Sequence, residues 1–132
     1  MMEEALKFIN ESLTSAGINY ELGEWTSDIV YPYWVGEYQE SEPLDEDGMQ
    51  ETSFIITGFA RDSEESDAKA ALESDKAAIK KLFNPISGLS TITDTGSAVV
   101  IFYASALNNI PTGDAELKKI QINLTIKEWS VN

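Results

Sequence analysis

The alternation of apolar and polar positions is clearest near the C-terminus. There Ile120, Ile122, Leu124 and Ile126 alternate with Gln121, Asn123, Thr125 and Lys127. A period of two puts the aliphatic side chains on one face of a strand and the polar ones on the other. One face then seeks a core while the other meets water or a partner, as in an antiparallel sheet covered on one side. Residues 118–131 are therefore the strand around which the rest should pack.

Two stretches carry helical spacing instead. Met2, Ala5, Leu6, Ile9, Leu13 and Ala16 recur every three or four residues, which predicts a helix over 2–16. Phe8 widens its buried stripe. Glu3 and Glu4 suit the positive end of the dipole, and Gly17 is placed for a left-handed cap. A longer helix is predicted over 64–83. Ala68, Ala71, Leu72, Ile79, Leu82 and Phe83 form its stripe, which Asp75 interrupts. Asp62 or Ser63 is the expected N-cap. Glu64, Glu65 and Asp67 open the helix and Lys76, Lys80 and Lys81 close it. Asn84-Pro85 stops it.

The other segments read as strands. Residues 18–25 alternate Ile18, Tyr20 and Leu22 with Asn19, Glu21 and Gly23. Residues 29–39 are aromatic and β-branched; Pro32, lacking an N–H, sets this strand at an edge or starts it after the proline. Residues 52–60 bring Phe54, Ile56 and Phe59 to the core, with Gly58 marking a bulge or bend. Residues 89–93 alternate weakly, and Ala98–Leu107 is a continuous apolar run that reads as a central strand. The acidic segment 40–51 is a hairpin loop longer than a tight turn, signalled by Pro43 and Asp47-Gly48. Three strands precede the long helix and three follow it, without regular βα alternation. The fold class is α+β: a mainly antiparallel sheet with two helices packed on one face, in a single domain over 1–132.

Size agrees, since 132 residues fit one domain on the usual scale of roughly 100–200. An apolar content of 42% excludes wholesale disorder. Charge changes the picture more. The 23 acidic and 9 basic residues leave a net −14. That field repels phosphate backbones, so sequence-specific nucleic-acid binding is not expected. The acidity either serves solubility and basic or polar partners, or lets carboxylates stand in for phosphates. The chain has no cysteine and no histidine. It thus has no disulfide frame or thiolate, and lacks the commonest general base and zinc ligand. No apolar run nears the ~20 residues that span a bilayer. The acidic, amphipathic start MMEEALKFIN lacks the basic-then-apolar order of a signal peptide. A cytosolic protein without membrane association is expected.

Candidate chemistry is sparse. Asp94-Thr95-Gly96 matches the aspartic-protease triplet, whose mechanism needs two aspartates sharing a proton, and so a homodimer here. The triplet also sits where a hairpin turn is wanted, and Asp and Gly are turn residues. No apolar-apolar-Gly segment of the viral protease type follows Gly113. The acidic loop fails as an EF-hand, because Gly48 at position six places Pro43 at position one. Acid pairs are uninformative among 23 carboxylates. Serine hydrolysis lacks its histidine, and neither glycine-rich phosphate motif occurs. No enzyme activity, metal or cofactor is expected.

Three stretches together resemble a known class: YPYWVGEY at 31–38, ETSFIITGF at 51–59 and IPTGDAELKKIQINL at 110–124. They are similar to small structural proteins of phages and prophages of Gram-positive hosts. The organisation resembles the tail-terminator (tail-completion) and head–tail joining proteins of long-tailed phages, over roughly residues 29–129. The resemblance implies an antiparallel sheet flanked by helices. It implies a homo-oligomeric ring, commonly a hexamer, that caps the tail tube and docks to the head connector. Tail-tube and connector proteins are then the partners. The location is the tail or neck of the virion, after assembly in the host cytoplasm. No family catalytic residue carries over.

A ring needs a heterologous interface, where unlike patches meet head to tail. The candidate interface residues are Tyr33, Trp34 and Tyr38 of the aromatic strand, Glu42, Asp45, Glu46 and Asp47 of the acidic loop, and Gln121, Asn123 and Thr125 of the last strand's polar face. The alternative is an acidic inhibitor that mimics nucleic acid to block a host nuclease or defence complex. Such a mimic spaces carboxylates like phosphates and stays monomeric or dimeric. A protease dimer is the third reading, separated by Asp94→Ala and a peptide assay.

Overall fold

The computed structural model describes residues 2–23, 28–39, 49–64, 67–93, 96–108 and 110–129. Helix α1 spans Met2–Ser15. It buries Ala5, Ile9 and Leu13, with Leu6 and Phe8 packed beside them, as the 3.6-residue period requires. Gly17 follows at φ 82°. The N–H groups of Ala16, Gly17 and Ile18 close the last turn onto the carbonyls of Ser12, Thr14 and Leu13. Glycine takes that left-handed position at least cost.

The remaining elements are β1 (Tyr20–Leu22), β2 (Tyr33–Gln39), β3 (Met49–Arg61), α2 (Ala68–Leu82), β4 (Leu89–Ile92), β5 (Ala98–Leu107) and β6 (Leu117–Trp129). The strands form one six-stranded sheet in the order β1-β2-β3-β6-β5-β4. Neighbours run antiparallel except β1 and β2, which pair in parallel. The sheet is mixed, mostly antiparallel and curled as a half-barrel, and the fold class is α+β. β3 and β6 have 13 residues each and pair from end to end, from Met49 with Trp129 to Arg61 with Leu117. This ladder is the spine of the molecule.

The alternation in β6 is realised: Ile120, Ile122, Leu124 and Ile126 are buried. The matching parity buries Trp34 on β2, Phe54, Ile56 and Ala60 on β3, and Val99 and Ile101 on β5. These residues join Ala5, Ile9 and Leu13 of α1 and Ala68, Leu72 and Ile79 of α2 in one hydrophobic cluster. Burying one such aliphatic side chain is worth roughly 1.5–3 kcal/mol. Exposed pairs such as Lys7–Glu11 at 4.0 Å contribute little beside that.

Local departures from expectation have local causes. β1 is only 3 residues long, because Gly23 turns the chain at φ 85° directly after it. β2 starts at Tyr33, just past Pro32, which has no N–H to give a ladder. Phe59, expected in the core, faces the other way; it shares parity with Ile55 and Thr57 and stacks on Tyr33 at 5.0 Å. Gly58 marks no bulge. The register runs through it unbroken, pairing it with Trp34 on one side and Ile120 on the other. A β-carbon there would lie 2.5 Å from the Trp34 ring, so glycine is what lets the indole lie against the strand. The bulge in the sheet falls instead in β5, between Tyr103 and Ser105, and β5 lies between β6 and β4.

α2 starts later than Glu64. Asp67 is its N-cap, with its carboxylate accepting from Ala70 N–H at 3.2 Å, and Asp62 accepts from Ala68 N–H at 2.8 Å. Glu64 therefore precedes the helix, and Glu65 lies outside the described residues. Lys80 and Lys81 occupy the last turn as expected. Asp67→Ala should lower stability by about 1 kcal/mol, read as a fall in the urea midpoint at constant slope.

Candidate functional site

The second face of the sheet carries the polar residues of β6. Gln121, Asn123 and Thr125 form one row there, facing Thr57, Ile55 and Ser53 across β3. On the other side they face Leu107, Ser105 and Phe102 of β5. Asn123 Nδ2 donates to Ser105 Oγ at 3.1 Å. Across β3, β6 and β5 the middle of this face has no formal charge, and Glu37 of β2, opposite Ile55, bounds it on that side. Arg61 and Lys119 stand at one end of it, Glu51 and Lys127 at the other. An uncharged centre inside a charged rim is the anatomy of a protein–protein interface.

Aromatic side chains are interleaved with the cations on this face. Lys119 lies 5.6 Å from the Phe59 ring centre, Lys127 lies 5.7 Å from that of Phe102, and Arg61 lies 5.9 Å from that of Tyr31. Tyr33 joins this group, 5.6 Å from Tyr31. Burial, with Tyr31 adding to it, pushes the Tyr33 phenol upward. Arg61 also pairs with Asp114 at 3.0 Å. The Glu116 N–H, and then Arg61, hold the Asp114 carboxyl below the ordinary carboxylate range.

The interface candidates therefore divide. Tyr33, Gln121, Asn123 and Thr125 share the second face. Tyr38 has core parity, opposite Phe54, but is exposed at the end of β2. Trp34 is no surface residue at all. Its ring is fully buried and its Nε1 donates to Asp75 Oδ2 at 2.8 Å. Successive strand residues face opposite ways, so Tyr33 outside means Trp34 inside. Burial pushes the Asp75 carboxyl up, and the indole hydrogen bond pulls it back. The break in the apolar stripe of α2 is thus the acceptor for a core tryptophan. Glu42, Asp45, Glu46 and Asp47 lie outside the described residues, as do Asp94 and Thr95. Around the latter pair, β4 and β5 form an antiparallel hairpin. Thr93 N–H donates to Ser97 O at 2.8 Å, Gly96 N–H donates to Thr93 O at 2.9 Å, and Gly96 takes φ 89°.

No family model matches this chain, and no curated protein matches it. Among the described residues, no group of side chains is arranged to hold a metal ion, and no helix is long and apolar enough to cross a membrane.

Sequence reasoning missed two features. The first is Glu128, which continues the parity of Ile126 and is only 2% exposed. Its Oε2 has no hydrogen-bond partner among the described residues, nor does the buried hydroxyl of Thr52. Burial pushes its carboxyl up, and the charge of Glu4 adds to the shift. Extending the period-two count by one step would have found it. The second is the placement of exposed apolar side chains. Leu22, Ile29, Val30, Tyr31 and Tyr38 lie on or beside β1 and β2, and Ile86, Ile92 and Leu107 lie on or beside β4 and β5. No exposed large apolar side chain lies on the described residues of β3 or β6.

A cleft of about 380 Å³ lies between α2 and the segment leading into β6. Three of its charged side chains have partners: Glu73 pairs with Lys76 at 2.8 Å, Asp114 pairs with Arg61, and Lys118 Nζ donates to Ala115 O at 2.8 Å.

Proposed function

We propose that the protein is a self-assembling structural subunit of a phage virion, a tail terminator or head–tail joining protein that forms a ring on the tail tube. The observation that carries this reading is the division of exposed apolar side chains between two different edges of one sheet. Closure into a ring needs two unlike patches on each subunit, and scattered single residues would not supply them. The three stretches that resemble phage proteins fall on β2, on β3 and on the approach to and first half of β6, which are adjacent in the sheet. In this reading both helices cover one face, and the uncharged middle of the second face meets a tail-tube or connector protein. A net charge of −14 keeps a passage for DNA unadhesive.

Light scattering coupled to size exclusion, over a range of concentrations and with polymerised tail tubes added, tests the proposal. A ring, or a hexamer that grows in with concentration or on the tube, is the expected result. A chain that stays monomeric under all of these conditions overturns it.

A further inference from the structure

A cleft of about 420 Å³ lies between α2, the link from α1 to β1 and the segment entering β2, lined by Gly17, Asn19, Val30, Tyr31, Pro32 and Asp75. Its walls are tied together. Asn19 Nδ2 donates to Val30 O at 3.1 Å, and Asn19 O accepts from Trp34 N–H at 2.8 Å. Asp75 is held too, since its Oδ2 accepts from the buried Trp34 indole at 2.8 Å. That bond uses one oxygen. Asp75 Oδ1 has no hydrogen-bond partner among the described residues, and no cation among them pairs with this carboxylate. The adjacent Lys76 pairs with Glu73 and donates to Asn108 instead. The burial of Asp75 is thus offset by a neutral donor alone.

The surroundings say what the missing cation belongs to. Val30 and Tyr31, with Ile29 before them, are 63%, 37% and 57% exposed. A fixed carboxylate beside a run of exposed apolar side chains is the anatomy of a protein contact, in which the surround excludes water from a central polar pair. A small amine would leave that apolar run uncovered. Arginine suits the place better than lysine, because a guanidinium is more weakly hydrated than an ammonium and meets a carboxylate in a plane. The chain's only arginine is Arg61, which is already paired with Asp114 at 3.0 Å. The cation therefore comes from a protein of different sequence. A net charge of −14 draws such a partner in.

We infer that this cleft takes an arginine side chain of a partner protein, with its guanidinium on Asp75 and the partner's flanking residues on Ile29, Val30 and Tyr31. The contact forms whether or not the subunits close into a ring.

The Trp34 indole reports on the site, because its N–H is bonded to Asp75. Its Nε1–H resonance is followed in isotope-labelled protein while a blocked leucine-arginine-leucine tripeptide or N-acetylarginine amide is added. A saturable shift is expected with both. The tripeptide should bind about tenfold more tightly, because its leucines cover the apolar run. The same tripeptide with citrulline, which has the shape of arginine without its charge, should give no saturable shift. Asp75→Asn keeps an acceptor for the indole and removes the charge, and saturation should be lost in it. The inference is overturned if the arginine tripeptide gives no saturable shift, or if the citrulline or lysine tripeptide binds as tightly. Saturation that persists in Asp75→Asn overturns it as well. Equal affinity for the tripeptide and N-acetylarginine amide does so too, because the cleft is then a site for a small cation. The citrulline comparison uses the parent chain, so it decides even where Asp75→Asn disturbs folding.

Discussion

Trp34→Ala is expected to lower stability by about 3–5 kcal/mol, a large share of the roughly 5–15 kcal/mol that holds a domain folded. The indole is fully buried. Its ring lies against the backbone of Gly58, and its N–H satisfies Asp75. Alanine would leave a cavity against β3 and deprive a half-buried carboxylate of its donor. Trp34→Phe separates the two losses, since it keeps most of the volume and removes only the N–H. It should also drive the Asp75 carboxyl further up, because the hydrogen bond that pulls it down is gone. Gly58→Ala attacks the same contact from the other side and should cost about 1–3 kcal/mol. In the Trp34→Ala background that cost should shrink, because the room is then present. Urea denaturation of the four variants closes the cycle. Tyr33→Ala is the control, and a loss as large as that of Trp34→Ala would mean that the two faces of β2 are assigned the wrong way round.

Glu128→Gln is expected to stabilise the protein at neutral pH, by on the order of 1 kcal/mol, because it removes a charge that burial penalises. The Glu128 carboxyl lies above its ordinary 4.5 in the folded chain. The folded state therefore keeps a proton that the unfolded state has lost. Its contribution is fully present below about 4.5 and disappears as pH rises through the raised value. Neutral solution is where the buried carboxylate costs most. Melting temperatures measured from about pH 5 to about pH 8 should fall less steeply in Glu128→Gln than in the parent. Asp75 is shifted in the same direction, so a slope will remain in Glu128→Gln and should weaken further with Asp75→Asn. Parallel profiles for parent and Glu128→Gln would show that this carboxyl titrates as if in water.

The parts of the fold that could be read from the chain are those where side-chain contrast is strong. In β6 every second residue is aliphatic and its neighbours are polar, so period and face follow at once. α1 is equally plain, because its stripe and its terminal glycine point to the same boundaries. Contrast fails in β2. Tyr33 and Trp34 are both large aromatics, and only the pairing with β3 decides which of them goes inside. The role of Gly58 was hidden for the same reason, since it depends on a ring from a neighbouring strand. The start of α2 was misplaced because acidic residues serve equally in a first helical turn and as caps before it. The parallel pairing of β1 with β2 leaves no mark in either segment. Of the candidate surface, the row Gln121, Asn123 and Thr125 was legible from alternation alone. The clustering of apolar residues at the edges was not, because an edge exists only once the order of strands is known.

The spine has a consequence for how the chain comes together. β3 is synthesised soon after β2, yet its full-length partner β6 follows only after α2, β4 and β5. A long strand bearing Phe54 and Ile56 must wait with one side open while that stretch is translated. Long-range pairing of this kind is slow and leaves nascent chains prone to stick to one another. The two most regular strands of the finished molecule are in this sense its most vulnerable moment on the ribosome.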